Sequence, residues 1–243
     1  MPYRIQRELS FVLPDTYVIT MANAPTIYAT VASTNSTNST NTVVREWVHL
    51  AMSQQQQNVN TVGIHAEPRR LNPSLIHHSF QPELAVLIIA FGRRILLLRL
   101  LRDQDLPEIL VNNILRINHY NFVGMDIMRI RQNLWARLGR DDILANVSDV
   151  RELAVAHTRR GQLRTAGLRT IVRAVFGSYV ERWPRLIYFP YWWSSENLSQ
   201  ALVLHGSIRV FMAVQVSEAC SVTASSSSPS AQQETHLDQS HGN

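Results

Sequence analysis

The sequence predicts a mainly α-helical protein of the α+β class, a helical core with minor β strands near the two ends of the chain. Residues 83–205 are rich in Leu, Ile, Val and Arg, and their apolar positions recur at helical spacing. Residues 1–82 contain short β-branched and aromatic pieces, and residues 208–216 alternate as a strand does. With 45% hydrophobic residues among 243, the chain is able to bury a sizeable core, which excludes wholesale disorder.

Composition divides the chain into three regions. Residues 1–82 form an N-terminal region with polar low-complexity tracts, which bury too little apolar surface to fold by themselves. Residues 83–216 form the expected helical core. Residues 217–243 are dominated by Ser, Gln, Thr and His, a composition typical of a disordered tail.

The most apolar segment is 84–101, which we interpret as a buried core helix broken at Gly92. A membrane-spanning helix is disfavoured because Arg93, Arg94 and Arg99 would each cost roughly 2.5–3.5 kcal/mol near its centre. Association of this segment with a membrane surface stays open as an alternative.

Apolar stripes at helical spacing predict four further helices. Pro107 suits the first turn of one helix, Asp142 the start of another, and Gly177 the end of the last. The four helices are expected over 106–117, 126–139, 142–160 and 162–176.

No enzyme signature is visible in the sequence. It contains no glycine-rich phosphate loop, no paired-histidine zinc helix and no Gly-x-Ser-x-Gly turn. The single cysteine, Cys220, adjoins the expected tail, which is a poor place to hold a nucleophile in a defined geometry. The sequence therefore predicts a protein that is not an enzyme, with no catalytic residue, no metal site and no cofactor.

All 23 basic residues are arginine, and the chain has no lysine. Two interpretations stay open: a coding constraint such as an overlapping reading frame, and an advantage of offering no lysine to a lysine-modifying enzyme. The arginines concentrate in the helical middle, and two interpretations stay open: they solvate the outer faces of the helices, or they face nucleic acid, an anionic membrane or an acidic protein as a partner. The N-terminus lacks the apolar core of a secretory signal, so we expect an intracellular location.

Residues 179–193 contain seven aromatic side chains next to Arg182 and Arg185. Such a stretch packs the edge of a core, docks on another protein, or stacks on unpaired bases. All three interpretations stay open.

Two apolar stripes form the most distinctive pattern in the sequence. The first helix, opened by Leu106 and Pro107, presents Ile109, Leu110 and Leu115 as a compact patch suited to binding in a partner's groove. The second presents Ile127, Ile130, Leu134 and Trp135 as support. Residues 105–138 therefore resemble the F-box, the module by which substrate receptors dock on the Skp-family adaptor of cullin-based ubiquitin ligases.

The Leu106–Leu110 segment, with Leu115 five residues on, and the run 189–198 also resemble the silencing suppressors of poleroviruses. That resemblance implies a plant-virus suppressor of RNA silencing in the host cell cytoplasm, which recruits a Skp-family adaptor and directs host Argonaute to degradation. The five residues of the first patch would contact the adaptor. The alternative function is a basic RNA-binding viral protein that uses the arginine-rich helices and residues 179–193.

Overall fold

Eight strands form one mixed sheet at the centre of the protein. The structure, a computed structural model, describes residues 3–8, 13, 15–21, 24–32, 37–53, 60–68, 84–100, 105–177 and 198–226. The strands are β1 (Tyr3–Glu8), β2 (Thr16–Met21), β3 (Ile27–Ala32), β4 (Thr61–Pro68), β5 (Leu84–Phe91), β6 (Arg94–Arg99), β7 (Asn121–Gly124) and β8 (Asn146–Asp149). Their order is β1-β2-β3-β6-β5-β4-β7-β8. The protein is therefore an α/β fold, and the expectation of a mainly helical fold with minor strands is wrong.

Helices cover both faces of this sheet. They are α1 (Thr37–Ser53), α2 (Glu108–Leu110), α3 (Ile127–Leu138), α4 (Val150–Thr158), α5 (Leu168–Phe176) and α6 (Gln200–Ser226). A π-helical turn, Val111–Leu115, continues α2, and a 3₁₀ turn, Gly161–Thr165, precedes α5. One core lies between the sheet and α4, α5 and α6, and a second lies between the sheet and α1, α2 and α3.

The segment 84–101 contains two paired strands, so the expected core helix is wrong. Strands β5 and β6 are antiparallel, with Ala90 opposite Ile95, and Gly92 turns the chain between them with a φ of +57°. Every residue of β5 is buried. A strand that is covered on both faces has apolar side chains at every position instead of alternating apolar and polar ones. The periodicity of the sequence does not distinguish such a continuous apolar run from a buried helix.

The strand predicted over residues 208–216 is also wrong, because these residues lie inside the long helix α6. Phe211 and Ala213, which lie between the alternating residues, are buried as well. A helix that packs against a wide sheet is apolar around most of its circumference, and a chance alternation then mimics a strand. Residues 217–226, expected in the tail, also belong to α6.

The four helices predicted between 106 and 176 are found with changed bounds. Helix α3 confirms the second one closely, and it ends at Gly139, whose φ is +61°. The third begins at Val150 instead of Asp142, because β8 intervenes and Asp149 caps the helix by accepting a hydrogen bond from the backbone N–H of Arg151 at 2.9 Å. The first and fourth are shortened by the π-helical and 3₁₀ turns.

Strands β4 and β5, which lie on the two sides of residue 82, are paired in the sheet. Among the described helices, none combines the length and the apolar character needed to cross a bilayer.

Candidate functional site

Strand β4 presents its two ionisable side chains to helix α6. Successive residues of a strand face opposite sides of the sheet, so Val62, Ile64 and Ala66 enter the second core. His65 and Glu67 therefore face the other side. Both are buried, with 7% and 3% of their surfaces exposed.

Helix α6 places two polar side chains over this strand. His205 and Arg209 are four residues apart and so share one face of the helix. Nη1 of Arg209 donates to Oε1 of Glu67 at 3.2 Å, and Nε2 of His65 lies 2.7 Å from the same oxygen. One carboxylate oxygen thus joins the strand to the helix. We call His65, Glu67, His205 and Arg209 the polar cluster.

Gly63 allows the helix to come this close. A Cβ atom built at Gly63 would lie 2.7 Å from the carbonyl oxygen of Val210 and 2.8 Å from Cγ2 of Val214. Real Cβ atoms do not make contacts of this length, so any larger residue would push α6 outward. Glycine two residues before His65 therefore sets the distance between β4 and Arg209.

The charges of the polar cluster follow from its burial. Burial lowers the pKa of His65 and lowers that of His205 to about 4, and the Arg209 charge adds to both effects. Burial alone would raise the pKa of Glu67, but the hydrogen bond from His65 and the neighbouring Arg209 charge outweigh it and hold that pKa below its usual value. At neutral pH the cluster holds an ionised Glu67, a charged Arg209 and two neutral imidazoles.

Two more carboxylates lie at the ends of the neighbouring parallel strands β7 and β8. Asp126 follows β7 with a φ of +54° and is paired with the guanidinium of Arg151. Asp149 ends β8, and its two oxygens accept the backbone N–H groups of Arg151 and Ile127. Both carboxylates are thus engaged in holding α3 and α4. Within the described part of the chain, no group of three His, Cys, Asp or Glu side chains is close enough to hold a metal ion.

The residues that the sequence assigned to adaptor binding lie elsewhere, on the other side of the sheet. Leu106, Leu110 and Leu115 are buried in the second core, and Ile109 packs against it. The carbonyl oxygen of Pro107 accepts the N–H groups of Leu110 and Val111 and so starts α2. Contact of these side chains with an adaptor stays a prediction.

The four supporting residues belong to α3. Ile127, Ile130 and Leu134 are buried, and the indole N–H of Trp135 donates to the carbonyl oxygen of Ile143 at 3.0 Å. The guanidinium of Arg131 lies 4.2 Å from the Trp135 ring centroid. The aromatic stretch 179–193 lies outside the described residues.

The sequence did contain a signal for the polar cluster. His65 and Glu67 are two apart in a strand whose other described residues are mostly apolar, and Arg209 is the only charged residue in the apolar run 198–217. A charge inside a buried segment is costly unless it is paired, so it indicates a partner elsewhere in the fold. The partner was not apparent because 142 residues separate Glu67 from Arg209.

The fold is shared with solved exoribonuclease structures, although no protein-family model and no curated protein sequence matches the chain. Escherichia coli RNase D, described as an exoribonuclease involved in structured RNA processing, matches with a TM-score of 0.58 at 12% identity. That match covers 82% of this chain and 45% of RNase D, so the chain spans less than half of that relative.

Two smaller proteins match along more of their length. The exonuclease domain of Aedes aegypti Nibbler matches with a TM-score of 0.53 at 11% identity, over 75% of this chain and 86% of that domain. Brucella melitensis NrnC with bound Mg²⁺ matches with a TM-score of 0.50 at 16% identity, over 71% and 77%. At these identities the likeness shows the fold alone.

These findings correct the functional interpretation of the sequence. The resemblance to polerovirus silencing suppressors is wrong, because the fold is that of exoribonuclease domains and not of an F-box-like adaptor. The expected function, recruitment of a ubiquitin ligase for Argonaute degradation, is wrong for the same reason. The expectation that the chain is not an enzyme rested on the absence of familiar catalytic motifs, and the fold contradicts it, because solved structures of exoribonucleases share this fold. The chain has the α/β fold of these exoribonucleases.

Proposed function

We propose that this protein is a ribonuclease and that the polar cluster is its active site. The observation that carries the proposal is the meeting of His65 and Glu67 with Arg209 in the interior of a nuclease-like fold. Burying such groups costs free energy that an apolar core would avoid, and strongly perturbed ionisable groups are typical of functional sites.

The cluster supplies a base and a fixed cation. With Glu67 ionised and His65 neutral, the Nε2–H of His65 donates to Glu67, and the other ring nitrogen keeps its lone pair. In hydrolysis an attacking water gives its proton to a neutral imidazole while the P–O bond to the leaving oxygen breaks, and the leaving oxygen takes its proton from solvent water. Arg209 is suited to the negative charge that develops on the phosphoryl oxygens.

Substrate reaches the cluster from the side of α6. The side chain of Arg209 is 25% exposed and that of Glu67 only 3%. His205 is half-buried. A phosphate group therefore meets Arg209 and His205 first, while Glu67 supplies the negative charge beneath them and His65 orients Glu67 through their hydrogen bond.

The substrate class in this proposal is RNA, as in the description of E. coli RNase D. Exposed arginines near the cluster side of the sheet support it, since guanidinium groups bind phosphates and release counterions from the nucleic acid. They are Arg159, Arg160, Arg169 and Arg173. The proposal also places the protein in the cytoplasm, in keeping with a chain whose single cysteine, Cys220, has no second cysteine to pair with.

The residues of the cluster do not fit the Mg²⁺ that the NrnC structure contains. Mg²⁺ takes oxygen ligands in near-octahedral geometry, and two-metal nuclease sites require several carboxylates. The polar cluster offers one carboxylate, and Oε1 of that carboxylate already faces two donors. No catalytic step is therefore assigned to a metal.

The test is cleavage of a 5′-labelled single-stranded RNA by the full chain, followed on denaturing gels with Mg²⁺ and with EDTA. We expect shortened products, and we expect Glu67→Gln and Arg209→Gln to slow their formation by about 100-fold or more. Arg173→Gln, which removes the same charge from the exposed face of α5, is the matched control. RNA that is bound and left intact in both buffers would overturn the proposal.

A further inference from the structure

We propose that the guanidinium of Arg209 takes the place of a divalent cation at Glu67, so that the polar cluster works without a metal ion. This inference rests on the proposed function, because it assigns the counter-ion of the same site. It goes beyond that function because it assigns the role of a divalent cation from the solvent to the side chain of Arg209.

The charge of the cluster is already balanced. Glu67 contributes one negative charge and Arg209 one positive charge, 3.2 Å apart. His65 and His205 add none at neutral pH, because burial lowers the pKa of both. A divalent ion at Glu67 would have one carboxylate as a ligand. It would also be repelled at close range by the charge of Arg209, and water screens this repulsion only weakly in a buried site.

The backbone holds Arg209 in this position. The next residue, Val210, lies against Gly63 of β4, with no room for a side chain between them. Arg209 therefore contacts Glu67 from a helix that is packed tightly on the strand. This packing holds the guanidinium in a fixed position beside the carboxylate. An arginine on a loose loop would have left Glu67 open to solvent cations.

A second carboxylate–arginine pair lies at the neighbouring strand. Asp126, directly after β7, is paired with the guanidinium of Arg151. Strands β4 and β7 are parallel and paired, so Glu67 and Asp126 both lie toward the carboxyl ends of adjacent strands. Each of the two carboxylates thus has an arginine as its counter-ion.

Binding of Mn²⁺, measured by the loss of its free electron-paramagnetic-resonance signal, tests the inference. Wild-type full-length protein is expected to bind no Mn²⁺ at concentrations up to about 1 mM. The His65→Asp/Arg209→Asp variant surrounds Glu67 with two further carboxylates, and we expect it to bind Mn²⁺ at least tenfold more tightly than wild type. The Arg173→Asp variant, which makes the same charge change as Arg209→Asp on the exposed face of α5, is the control, and it should behave as wild type.

Stoichiometric binding of Mn²⁺ to wild type below about 100 μM, abolished by Glu67→Gln, would overturn the inference. A second measurement does not depend on the double variant folding: the melting temperature of wild type with and without 10 mM MnCl₂. A site with a Kd of 100 μM would raise it by roughly 5–10 °C, whereas we expect a change below about 1 °C. A rise of several degrees overturns the inference as well.

The outcomes separate this inference from the proposed function. RNA cleavage that requires Mg²⁺, together with tight Mn²⁺ binding, would support the proposed ribonuclease function and contradict the metal-free site. Absence of cleavage in every buffer, without Mn²⁺ binding, would contradict the ribonuclease function and leave the assignment of Arg209 as the counter-ion of Glu67 in place.

Discussion

Gly63 and Val210 are in direct backbone contact: a Cβ atom at Gly63 would lie 2.7 Å from the carbonyl oxygen of Val210. This contact seats α6 on β4, and it lies beside the residues that carry the proposed chemistry. The stability of the first core and the geometry of the polar cluster therefore depend on the same glycine.

Gly63→Ala is expected to lower the free energy of unfolding by about 1–3 kcal/mol, because the added methyl group forces α6 away from the sheet. It should also weaken RNA cleavage, since Arg209 moves with the helix. Urea unfolding and the cleavage assay measure the two effects. Gly161→Ala is the control, because a Cβ atom there meets nothing within 4 Å; equal stability losses in both variants would contradict the assigned role of Gly63.

Arg209→Met is expected to destabilise the protein by roughly 2–3 kcal/mol, because Glu67 loses its charged partner while it remains buried. Glu67→Gln removes the carboxylate charge, so the double variant should lose clearly less stability than the sum of the two single variants. A double-mutant cycle from urea unfolding gives this coupling. A coupling energy near zero would mean that the Arg209–Glu67 contact contributes nothing to folding.

Acid is expected to destabilise the protein in the range between about pH 6.5 and pH 4. The pKa of His205 is about 4 in the folded state and near 6.5 when unfolded, so in this range the unfolded chain binds a proton that the native protein does not. The loss for His205 is at most about 3 kcal/mol. His65 titrates in the same direction, because burial lowers its pKa too.

His205→Asn should flatten this part of the pH profile, measured by urea unfolding between pH 7.5 and pH 4.5. The lowered pKa of Glu67 acts at lower pH, since its stabilising effect is lost only as the pH falls below the ordinary glutamate value of 4.5. A profile that keeps its slope in His205→Asn would assign the acid sensitivity to other groups.

Leu110→Ala is expected to cost about 2–5 kcal/mol, because Leu110 is fully buried in the second core. Ile109→Ala, at a neighbouring half-buried position, should cost less. Thermal unfolding compares the two. Equal stability of Leu110→Ala and wild type would show that this side chain does not serve the core.

Trp135→Phe removes the hydrogen bond from the indole N–H to the carbonyl oxygen of Ile143. We expect a loss of about 1 kcal/mol, since one neutral hydrogen bond contributes on this order. Chemical unfolding measures it, and Arg131→Gln, which removes only the cation above the ring, separates the stacking contribution.

The sequence alone determined those features that depend on neighbours in the chain. The stripe of Ile127, Ile130 and Leu134 and the glycine at 139 predicted α3 almost to its ends, because helical spacing and a left-handed cap are local properties. The arginine-rich composition likewise predicted a basic protein without reference to the fold.

Only the tertiary structure decided the sheet and the site. Strand β5 shows no alternation because helices cover both of its faces, so its identity depends on elements distant in the chain. The polar cluster depends on them even more, because the helix residue that neutralises Glu67 lies 142 positions away. A charge on a strand and a charge on a helix each look isolated in sequence, and their pairing exists only where packing brings α6 onto β4 over Gly63.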